Sequence, residues 1–596
     1  MTSELPSEAA GSRAELGQAD EGVCPHVDRE DSGVFAQSDS ADEGGFGVVN
    51  GSFSKGWVGW CVLGAAICAS VLSFLIYFHR VEILLFGDAV AHINIARRVF
   101  DSRYPGLLQL GTVWLPLPHL LMIPFVLVNS WWRSGVAASI PSMVAYVFGV
   151  VGIFRLVRNG MSVAGFSGLR AKLTACFASA VYGLNPNLLY LQSTAMTESL
   201  YLAFFVWTLV FFGEFWWAVR ADRSGKGTAS SLWKCGLCLL GACLTRYDGW
   251  FVAGVVSVGV VLMVPRFASK ERTRTWGTNL HQVIVFFVLA SVGPLAWVGY
   301  NAVVYNNALE FANGPYSAKA IARKTEIPGY PPHPGSRRLV VAGAYFSKAG
   351  FFSVAEGNWQ QGWLWLAMIG TVWAVWQKRK LVPLLLLWLP LPFYMLSIAY
   401  GGVPIYVPTW WPFSLYNIRY GVQLLPALAV FLAMGSSLVV SMMVTETGKR
   451  MVAVLALGFV VVSYAGVWRA GPAAFLEAWV NSRTRLQLEG QLAEDLKKLP
   501  PDSGLLMYLG EHVGALQDAG MPLRRVISEG SHRVWMQPAD PQGLWERALA
   551  DPARYADFVI AFEDDPVWRA AHDRNLPEVA RIEVAGQKTA FILRAR

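Results

Sequence analysis

The chain has 596 residues, of which 54% are hydrophobic and only 15% are charged, and it contains 25 Trp residues. Soluble domains carry about 25% charged residues on average, so this composition and the mean hydropathy of +0.39 exclude a soluble globular protein. Apolar runs long enough to cross a bilayer recur from about residue 56 to residue 470. The sequence predicts a polytopic helical membrane protein. Its net charge of +8 is typical of basic loops, and no nucleic-acid partner is expected.

Residues 1–55 differ from the rest of the chain. They carry eleven acidic residues against Arg13, Arg29 and Lys55, and they are rich in Ser and Gly and low in aromatic residues. Such a composition cannot bury enough apolar surface to offset the entropy of ordering the chain. We expect a disordered, acidic cytoplasmic tail.

Eleven apolar segments predict membrane-spanning helices. They lie at about 56–78, 136–157, 173–191, 198–219, 235–246, 249–265, 282–304, 361–377, 381–400, 420–443 and 451–469. A further apolar segment, 112–128, contains Pro116, Pro118 and Pro124, each of which removes a backbone donor and disrupts a regular helix. We expect this segment to form a helix and turn lying at the membrane interface.

Basic residues orient these spans. If residues 112–128 do not cross, Lys and Arg fall in the short loops of one side, and the short loops near 192–197 and 401–418 on the other side have none. Because cytoplasmic loops collect Lys and Arg, the pattern predicts a cytoplasmic N-terminus in a cell membrane such as the bacterial inner membrane. The long outer loop 305–360 is either a lid over a site or a plain solvated loop.

Residues 471–596 return to a soluble composition, with short apolar runs such as 505–509 and 557–562 between segments predicted to be helical. This pattern predicts a small α/β domain, which an odd number of spans places outside the cell membrane. The domain contains no Cys, so it folds without disulfides. We interpret it as an accessory module, either for acceptor binding or as a structural cap.

Two acidic residues open helices at the outer ends of spans, where a buried carboxylate costs free energy unless it is paired or functional. Asp88 follows the first span in the segment Gly87-Asp88-Ala89-Val90-Ala91-His92, and helical spacing places His92 on the same face. Glu198 begins a later span without a charged neighbour in the sequence. Ordinary helix capping is the alternative explanation for both carboxylates.

Two isolated arginines lie at the same predicted face. Arg246 lies between two short apolar stretches, two residues before Asp248, and a local ion pair with Asp248 is the alternative there. Arg419 follows Tyr416 at the top of the tenth span, where interface snorkelling is the alternative. Independent caps and pairs do not predict that these charges converge, so we predict a single outer-face site.

This combination resembles the C-type membrane glycosyltransferases, especially the branch of the protein O-mannosyltransferases and the aminoarabinose transferase of lipid A. The resemblance covers about residues 56–470 and rests on short motifs. In that superfamily an essential aspartate follows the first span and a second acid begins a later outer turn, positions matched by Asp88 and Glu198. Arg246 and Arg419 match basic residues that contact the lipid phosphate. The resemblance implies an all-α bundle of about 11 transmembrane helices with a C-terminal α/β domain.

The implied activity is transfer of a sugar from a polyprenyl phosphate to a lipid, glycan or protein acceptor. Asp88 is then the catalytic base in an inverting reaction, and Glu198, His92, Arg246, Asp248, Tyr416 and Arg419 bind substrate. The guanidinium fork suits phosphate oxygens. The absence of Walker and Rossmann glycine motifs agrees with a donor that is not a nucleotide sugar.

The sequence departs from this family at Ala89, where relatives often have a second acid. This departure leaves a single base candidate, which His92 either assists or joins as a ligand of a divalent cation, and the ligand set for a metal is incomplete. The rival from another class is a lipid or solute transporter, for which neither an internal repeat nor midplane charges are found. A purely structural scaffold is the third alternative.

Overall fold

The computed structural model describes residues 57–166, 168–221, 226–269, 276–324, 329, 331–377, 379–531 and 542–596. The predicted acidic tail, residues 1–55, lies outside the described residues. The bundle and the C-terminal segment belong to one compact unit, Phe46–Arg596.

Helices dominate the chain up to residue 470. Their bounds are α1 Trp57–His79, α2 Gly87–Arg98, α3 Leu117–Val126, α4 Asn129–Ser134, α5 Val136–Val163, α6 Gly168–Gly183, α7 Pro186–Gln192, α8 Glu198–Arg220, α9 Lys226–Cys243, α10 Asp248–Ser269, α11 Trp276–Val304, α12 Glu310–Asn313, α13 Ala318–Lys324, α14 Leu339–Phe352, α15 Trp359–Trp376, α16 Val382–Leu385, α17 Pro390–Tyr400, α18 Leu425–Met442 and α19 Glu446–Ala470. Short 3-10 helices cover Leu107–Leu110, Leu386–Trp388 and Ile418–Leu424.

Eight stretches of the described residues are long and apolar enough to cross a membrane. They coincide with eight of the predicted spans, so the chain is an integral membrane protein. The predicted spans at 173–191, 235–246 and 361–377 also lie on helices, α6 with α7, α9 and α15, which fall short of that length or hydropathy. The predicted number of eleven is therefore not confirmed.

The bundle core is built around α8, which is buried along most of its length and packs against α5 and α9. Its buried face is almost continuously aromatic and aliphatic, with Phe205, Phe212 and Phe215 close to zero exposure. Helices α15 and α18 form a second tight pair, in which Gly370 lies against the backbone of Phe431. A Cβ at that glycine would collide with backbone, so glycine permits this close approach.

The interfacial segment forms the short helix α3, as the prolines of residues 112–128 predict. Pro116 precedes the helix and Pro118 lies in its first turn, where a missing backbone donor costs little. Helix α3 packs against α2, and its buried face includes His119. Both short helices precede α5, so the loop after the first span is largely helical.

The long loop 305–360 is also more ordered than the sequence predicts. It contains α12, α13 and the apolar helix α14, which packs against α17 and the 3-10 helix Ile418–Leu424. The described residues Pro331–Pro334 precede α14, whereas Glu326 and Tyr330 lie outside the described residues. Its role as a lid stays a prediction.

The C-terminal segment forms an α/β fold, as predicted. After the long helix α20 Ala473–Leu496, five strands, β1 Leu505–Met507, β2 Val526–Ile527, β3 Phe558–Phe562, β4 Glu578–Ile582 and β5 Ala590–Arg594, make one sheet. Strand order is β2-β1-β3-β5-β4, with β1 parallel to β2 and β3 and with β5 antiparallel to β3 and β4. The helices of this part are α21 Gly514–Ala519, α22 Leu544–Ala550, α23 Pro552–Tyr555 and α24 Pro566–Ala571.

Polar contacts attach this sheet domain to α2 and to the helices that follow it. The Asn94 side chain donates to Gln517 (2.6 Å) and accepts from the Trp132 indole (3.0 Å). Gln517 in turn donates to the backbone carbonyl of Trp132 (2.8 Å). Buried hydrogen bonds of this kind fix orientation because each unpaired partner would carry a desolvation cost. The sheet domain therefore helps to hold α2, the helix that carries Asp88.

Candidate active site

Three helices begin at one end of the bundle with a carboxylate in their first turn. Asp88 lies at the start of α2, Glu198 at the start of α8 and Asp248 at the start of α10. The exposed N–H groups of a helix N-terminus carry partial positive charge and favour nearby carboxylates. Helix capping therefore contributes to the placement of these acids, as the alternative explanation from the sequence predicts. Their contacts with arginines go beyond it.

Arg246 joins two of these helix starts. Its Nε donates to both carboxylate oxygens of Asp248 (3.2 and 3.3 Å), and its Nη1 reaches Glu198 (3.4 Å) and donates to the Thr197 hydroxyl (3.1 Å). Its Nη2 donates to the hydroxyl of Tyr394 (2.9 Å), which is also 3.3 Å from Asp248. The local Arg246–Asp248 pair exists, and it is part of a larger network.

Arg419 joins the other helix start to the same network. Its Nη2 donates to Asp88 (2.6 Å), its Nε lies 3.6 Å from Glu198, and its Nη1 bonds to Glu477. Glu477 also accepts the backbone N–H groups of Asn417 (2.9 Å) and Arg419 (3.0 Å). The guanidinium group is fixed inward by α20 and does not snorkel toward solvent.

The ring of Tyr420 lies between the two arginines. The guanidinium carbons of Arg246 and Arg419 are 4.8 and 4.9 Å from its centroid. An aromatic face attracts a cation and reduces the cost of placing two like charges near each other. Glu198, which is fully buried, lies within 3.4 and 3.6 Å of the two guanidinium groups. The structure thus brings Asp88, Glu198, Arg246, Asp248 and Arg419 into one cluster, which we call the outer charge cluster.

Exposure separates Asp88 from the other carboxylates of the outer charge cluster. The Asp88 side chain is 41% exposed, whereas those of Glu198 and Asp248 are 0% and 4% exposed. Glu477, the partner of Arg419 outside the cluster, is 2% exposed. The cluster is therefore open to solvent at Asp88. Of the carboxylates that contact Arg419, Asp88 is the most accessible, so it is the one that an incoming anion could displace from the guanidinium group.

His92, one turn after Asp88, faces the cluster from α2. Its Nδ1 is 2.8 Å from Nε2 of His119 on α3, and its ring lies 4.6 Å from that of Trp114. Burial, together with the charges of Arg246 and Arg419, lowers the pKa of His92 to about 3. Burial and the neighbouring His92 and Arg98 likewise hold the pKa of His119 well below its usual range. Both rings are therefore neutral at physiological pH.

Tyr416 lies beside the outer charge cluster without joining its hydrogen bonds. Its backbone carbonyl accepts the N–H of Tyr406 (2.9 Å), and its ring is half-exposed. Burial raises the pKa of its hydroxyl, with Tyr420 and Asp88 adding to the rise. It borders the open side of the cluster, where a substrate would enter.

No group of three or more His, Cys, Asp and Glu side chains with the geometry of a metal site occurs among the described residues. Cys235 and Cys238, which have the spacing of a metal knuckle, lie on α9 in the apolar bundle.

Sequence reasoning missed several members of the site. Glu477 lies just after the predicted end of the membrane part at residue 470, in a segment interpreted as soluble, so its pairing with Arg419 had no local signal. His119 sits in the Pro-rich segment and Tyr394 in an apolar span, and neither is close in sequence to the residue that it contacts. Thr197, next to Glu198, and Tyr420, next to Arg419, are the members of the site that adjacency to a predicted residue indicates.

No protein-family model and no curated protein match the sequence. The structure is similar to that of ArnT from Cupriavidus metallidurans bound to undecaprenyl phosphate, with a TM-score of 0.51 at 15% identity, over 91% of this chain and 99% of that one. It is also similar to the oligosaccharyltransferase AglB from Archaeoglobus fulgidus in complex with an inhibitory peptide and a dolichol phosphate. That match has a TM-score of 0.43 at 11% identity and covers 86% of this chain and 70% of that one.

The match to ArnT spans the bundle and the C-terminal domain together, since it covers nearly the whole of both chains. The chain therefore has the fold of that structure, a helical membrane bundle with a C-terminal α/β domain, which confirms the predicted fold class and agrees, at the level of the fold, with the resemblance drawn from the sequence.

Proposed function

We propose that this protein is an inverting glycosyltransferase that moves a sugar from a polyprenyl phosphate to an acceptor hydroxyl at the outer face of the membrane. The proposal rests on one observation above the others: the half-exposed carboxylate of Asp88 occupies one edge of the buried Arg419 guanidinium. A base candidate and a phosphate-binding cation are thus in direct contact at the open side of the cluster.

The donor phosphate has a defined place to bind in this arrangement. Arg246 is held on every nitrogen by partners from three elements. Arg419 is held through Nη1 by the buried Glu477, and only its Nη2 partner is accessible. A phosphate oxygen that takes the place of Asp88 on Nη2 gains a charge-assisted hydrogen bond. Asp88 is then released next to the reacting centre.

The chemistry follows from that exchange. The acceptor hydroxyl oxygen forms a bond to the anomeric carbon while the bond from that carbon to the phosphate oxygen breaks, and its electron pair stays with the phosphate. Asp88 takes the proton of the hydroxyl, so polyprenyl phosphate leaves as an anion. Attack from the side opposite the leaving group inverts the anomeric configuration. Arg419 and Arg246 stabilise the growing negative charge in a site with little competing water.

Two further features support a lipid-linked donor. The outer charge cluster lies at the end of an apolar bundle, where a polyprenyl chain can run along spans while its phosphate meets the cluster. The protein with the same fold was observed with undecaprenyl phosphate bound. The basic residues Arg155, Arg158 and Arg170 lie in the opposite part of the bundle, at the inner ends of α5 and α6, which favours an outer position of the cluster and of the C-terminal domain.

The proposal is tested with purified protein and a panel of lipid-linked sugars, with release of free polyprenyl phosphate followed by mass spectrometry. The wild-type protein should release it with at least one donor, and Asp88→Asn should not. Glu356→Gln is the matched control, because Glu356 is an outer-loop carboxylate near Lys348 and outside the cluster. Equal activity of Asp88→Asn and wild type would refute the proposal. Movement of intact donor across proteoliposomes without release would favour the transporter.

A further inference from the structure

We infer that His119 is a positioning residue that fixes the tautomer of His92, so that His92 presents an Nε2–H donor to the phosphate of the lipid-linked donor. The inference rests on the proposed function for the identity of the recipient. The assignment of the tautomer rests on the geometry of the histidine pair and does not depend on the proposed function. It replaces the two roles that the sequence suggested for His92, assistance to the base and metal binding.

The argument begins with the unpaired atom of His119. Its Nε2 is 2.8 Å from Nδ1 of His92, and its own Nδ1 is buried with no hydrogen-bond partner among the described residues. Each neutral imidazole carries one N–H and one bare nitrogen. A buried N–H without an acceptor is rarer than a buried acceptor without a donor. The unpaired Nδ1 of His119 is therefore the bare nitrogen, and its proton is on Nε2.

The tautomer of His92 follows from that of His119. Since Nε2–H of His119 is the donor, Nδ1 of His92 must accept and is bare. The proton of His92 is then on Nε2. Nε2 of His92 has no hydrogen-bond partner among the described residues. It is also not one of the fully buried polar atoms that lack a partner, so it is accessible to a ligand. It is the free donor of the pair.

The surroundings of His92 select an anion as the recipient. Asp88, one turn before His92 on α2, is 2.6 Å from Arg419, so the face of α2 that carries His92 lies toward the outer charge cluster. The positive charges of Arg246 and Arg419 accordingly add to burial in lowering the pKa of His92. A neutral donor beside two guanidinium groups suits an oxygen that carries negative charge in the transition state, and it needs no counterion when the site is empty. Trp114 packs on the His92 ring at 4.6 Å and restricts its rotation.

The tautomer is tested first, by nitrogen NMR of the full-length protein labelled with ¹⁵N-histidine, with the two signals assigned by loss in His92→Phe and His119→Met. We expect a protonated Nε2 and a bare Nδ1 on His92 between pH 6 and 8. A protonated Nδ1 on His92 would overturn the inference. This readout does not depend on any substrate, so it stands apart from the proposed function.

Binding of polyprenyl phosphate then tests the recipient. His119→Met removes the donor to His92 at similar volume and should weaken binding about 10-fold, the size of one charge-assisted hydrogen bond. His119→Gln keeps an N–H donor and should stay within about 3-fold of wild type. His92→Phe should match His119→Met, and the double variant should add nothing to either, because both remove the same interaction.

The outcomes separate the two claims. The inference would be overturned if His119→Met and His119→Gln weakened binding equally, or if the effects of the two single variants added in the double variant. Either result would show that His119 has only a structural role. A wild-type protein that binds no polyprenyl phosphate would overturn the proposed function, and the phosphate would lose its place as recipient even with the expected NMR result.

Discussion

The two ends of the bundle each contain a buried arginine–carboxylate network, and the two networks differ in how completely they are satisfied. At the inner end, both oxygens of Glu214 are bonded, by Arg155 (2.7 and 2.9 Å), by Asn159 (3.0 Å) and by Ser231 (3.4 Å). At the outer end, one oxygen of Glu198 and the Nε of Arg419 are buried with no hydrogen-bond partner among the described residues.

This difference distinguishes a structural network from a binding site. A carboxylate that is saturated by a bidentate arginine and two further donors has nothing left to offer a ligand. Unpaired buried polar atoms cost free energy in the protein without ligand. Proteins retain such atoms at sites where a bound ligand supplies the missing hydrogen bonds. We therefore propose that the inner network holds helices together and that the outer charge cluster is organised for an incoming group.

The largest expected effect is on turnover and belongs to the outer end. Asp88→Asn keeps the shape of the side chain and removes its basicity, so the rate of polyprenyl phosphate release should fall by about 10²–10⁴-fold, the usual contribution of a general base. The melting temperature should change little, because the Asp88 side chain is half-exposed. A large drop in stability with a proportionate loss of activity would assign Asp88 to the structure instead.

The next effect is on stability and should separate the two ends directly. Glu214→Gln breaks a saturated buried pair and should lower the free energy of unfolding by about 3 kcal/mol, with turnover per folded molecule unchanged. Glu198→Gln should cost less stability and more activity, since Glu198 already has an unpaired oxygen. Thermal denaturation in detergent and the release assay, run on both variants, check this prediction. A reversed order would remove the distinction between the networks.

Acidification gives a third effect, through His92. Because its pKa in the folded protein is about 3, below the unfolded value of about 6.5, the unfolded chain binds the proton more readily below pH 6.5. The stability from neutral His92 is complete above pH 6.5 and is lost as the pH falls. Between pH 6.5 and 5 the loss is about 2 kcal/mol, at about 1.4 kcal/mol per pH unit. His92→Gln should reduce the slope of this dependence in thermal denaturation and leave the share that His119 contributes, and an unchanged slope would contradict the buried neutral imidazole of His92.

The smallest effect concerns the hydroxyl that orients Arg246. Tyr394→Phe removes one donor–acceptor group between Arg246 and Asp248 and should reduce turnover by about 5- to 10-fold, which corresponds to about 1 kcal/mol for one hydrogen bond. Tyr146→Phe is the control, because the Tyr146 hydroxyl donates to the Gly183 carbonyl within the bundle (2.6 Å) and has no other hydrogen bond among the described residues. Equal effects of the two variants on activity would mean that the hydroxyl of Tyr394 has no special role.

The sequence predicted the fold, and it predicted the charged residues at the centre of the proposed site, because both rest on strong local signals; the role of those residues stays a prediction. Long apolar segments define α1, α8 and α18, and an isolated charge in such surroundings is conspicuous, as Asp88 and Arg246 are. Partners supplied by distant elements carry no such signal. Glu477 reaches Arg419 from α20, and His119 reaches His92 from a Pro-rich segment. The three weaker spans, α6 with α7, α9 and α15, fall short in length or hydropathy, so apolar segments alone did not fix the number of membrane crossings.

The central claim is that the donor phosphate and Asp88 compete for the same edge of Arg419. The most direct test is the affinity of the full-length protein for polyprenyl phosphate, measured for wild type and for Asp88→Asn with Glu356→Gln as control. If the claim holds, the inactive Asp88→Asn protein binds polyprenyl phosphate more tightly than wild type does, since the competing carboxylate is gone, and Glu356→Gln binds as wild type. Weaker binding by Asp88→Asn, or no difference, would contradict the claim.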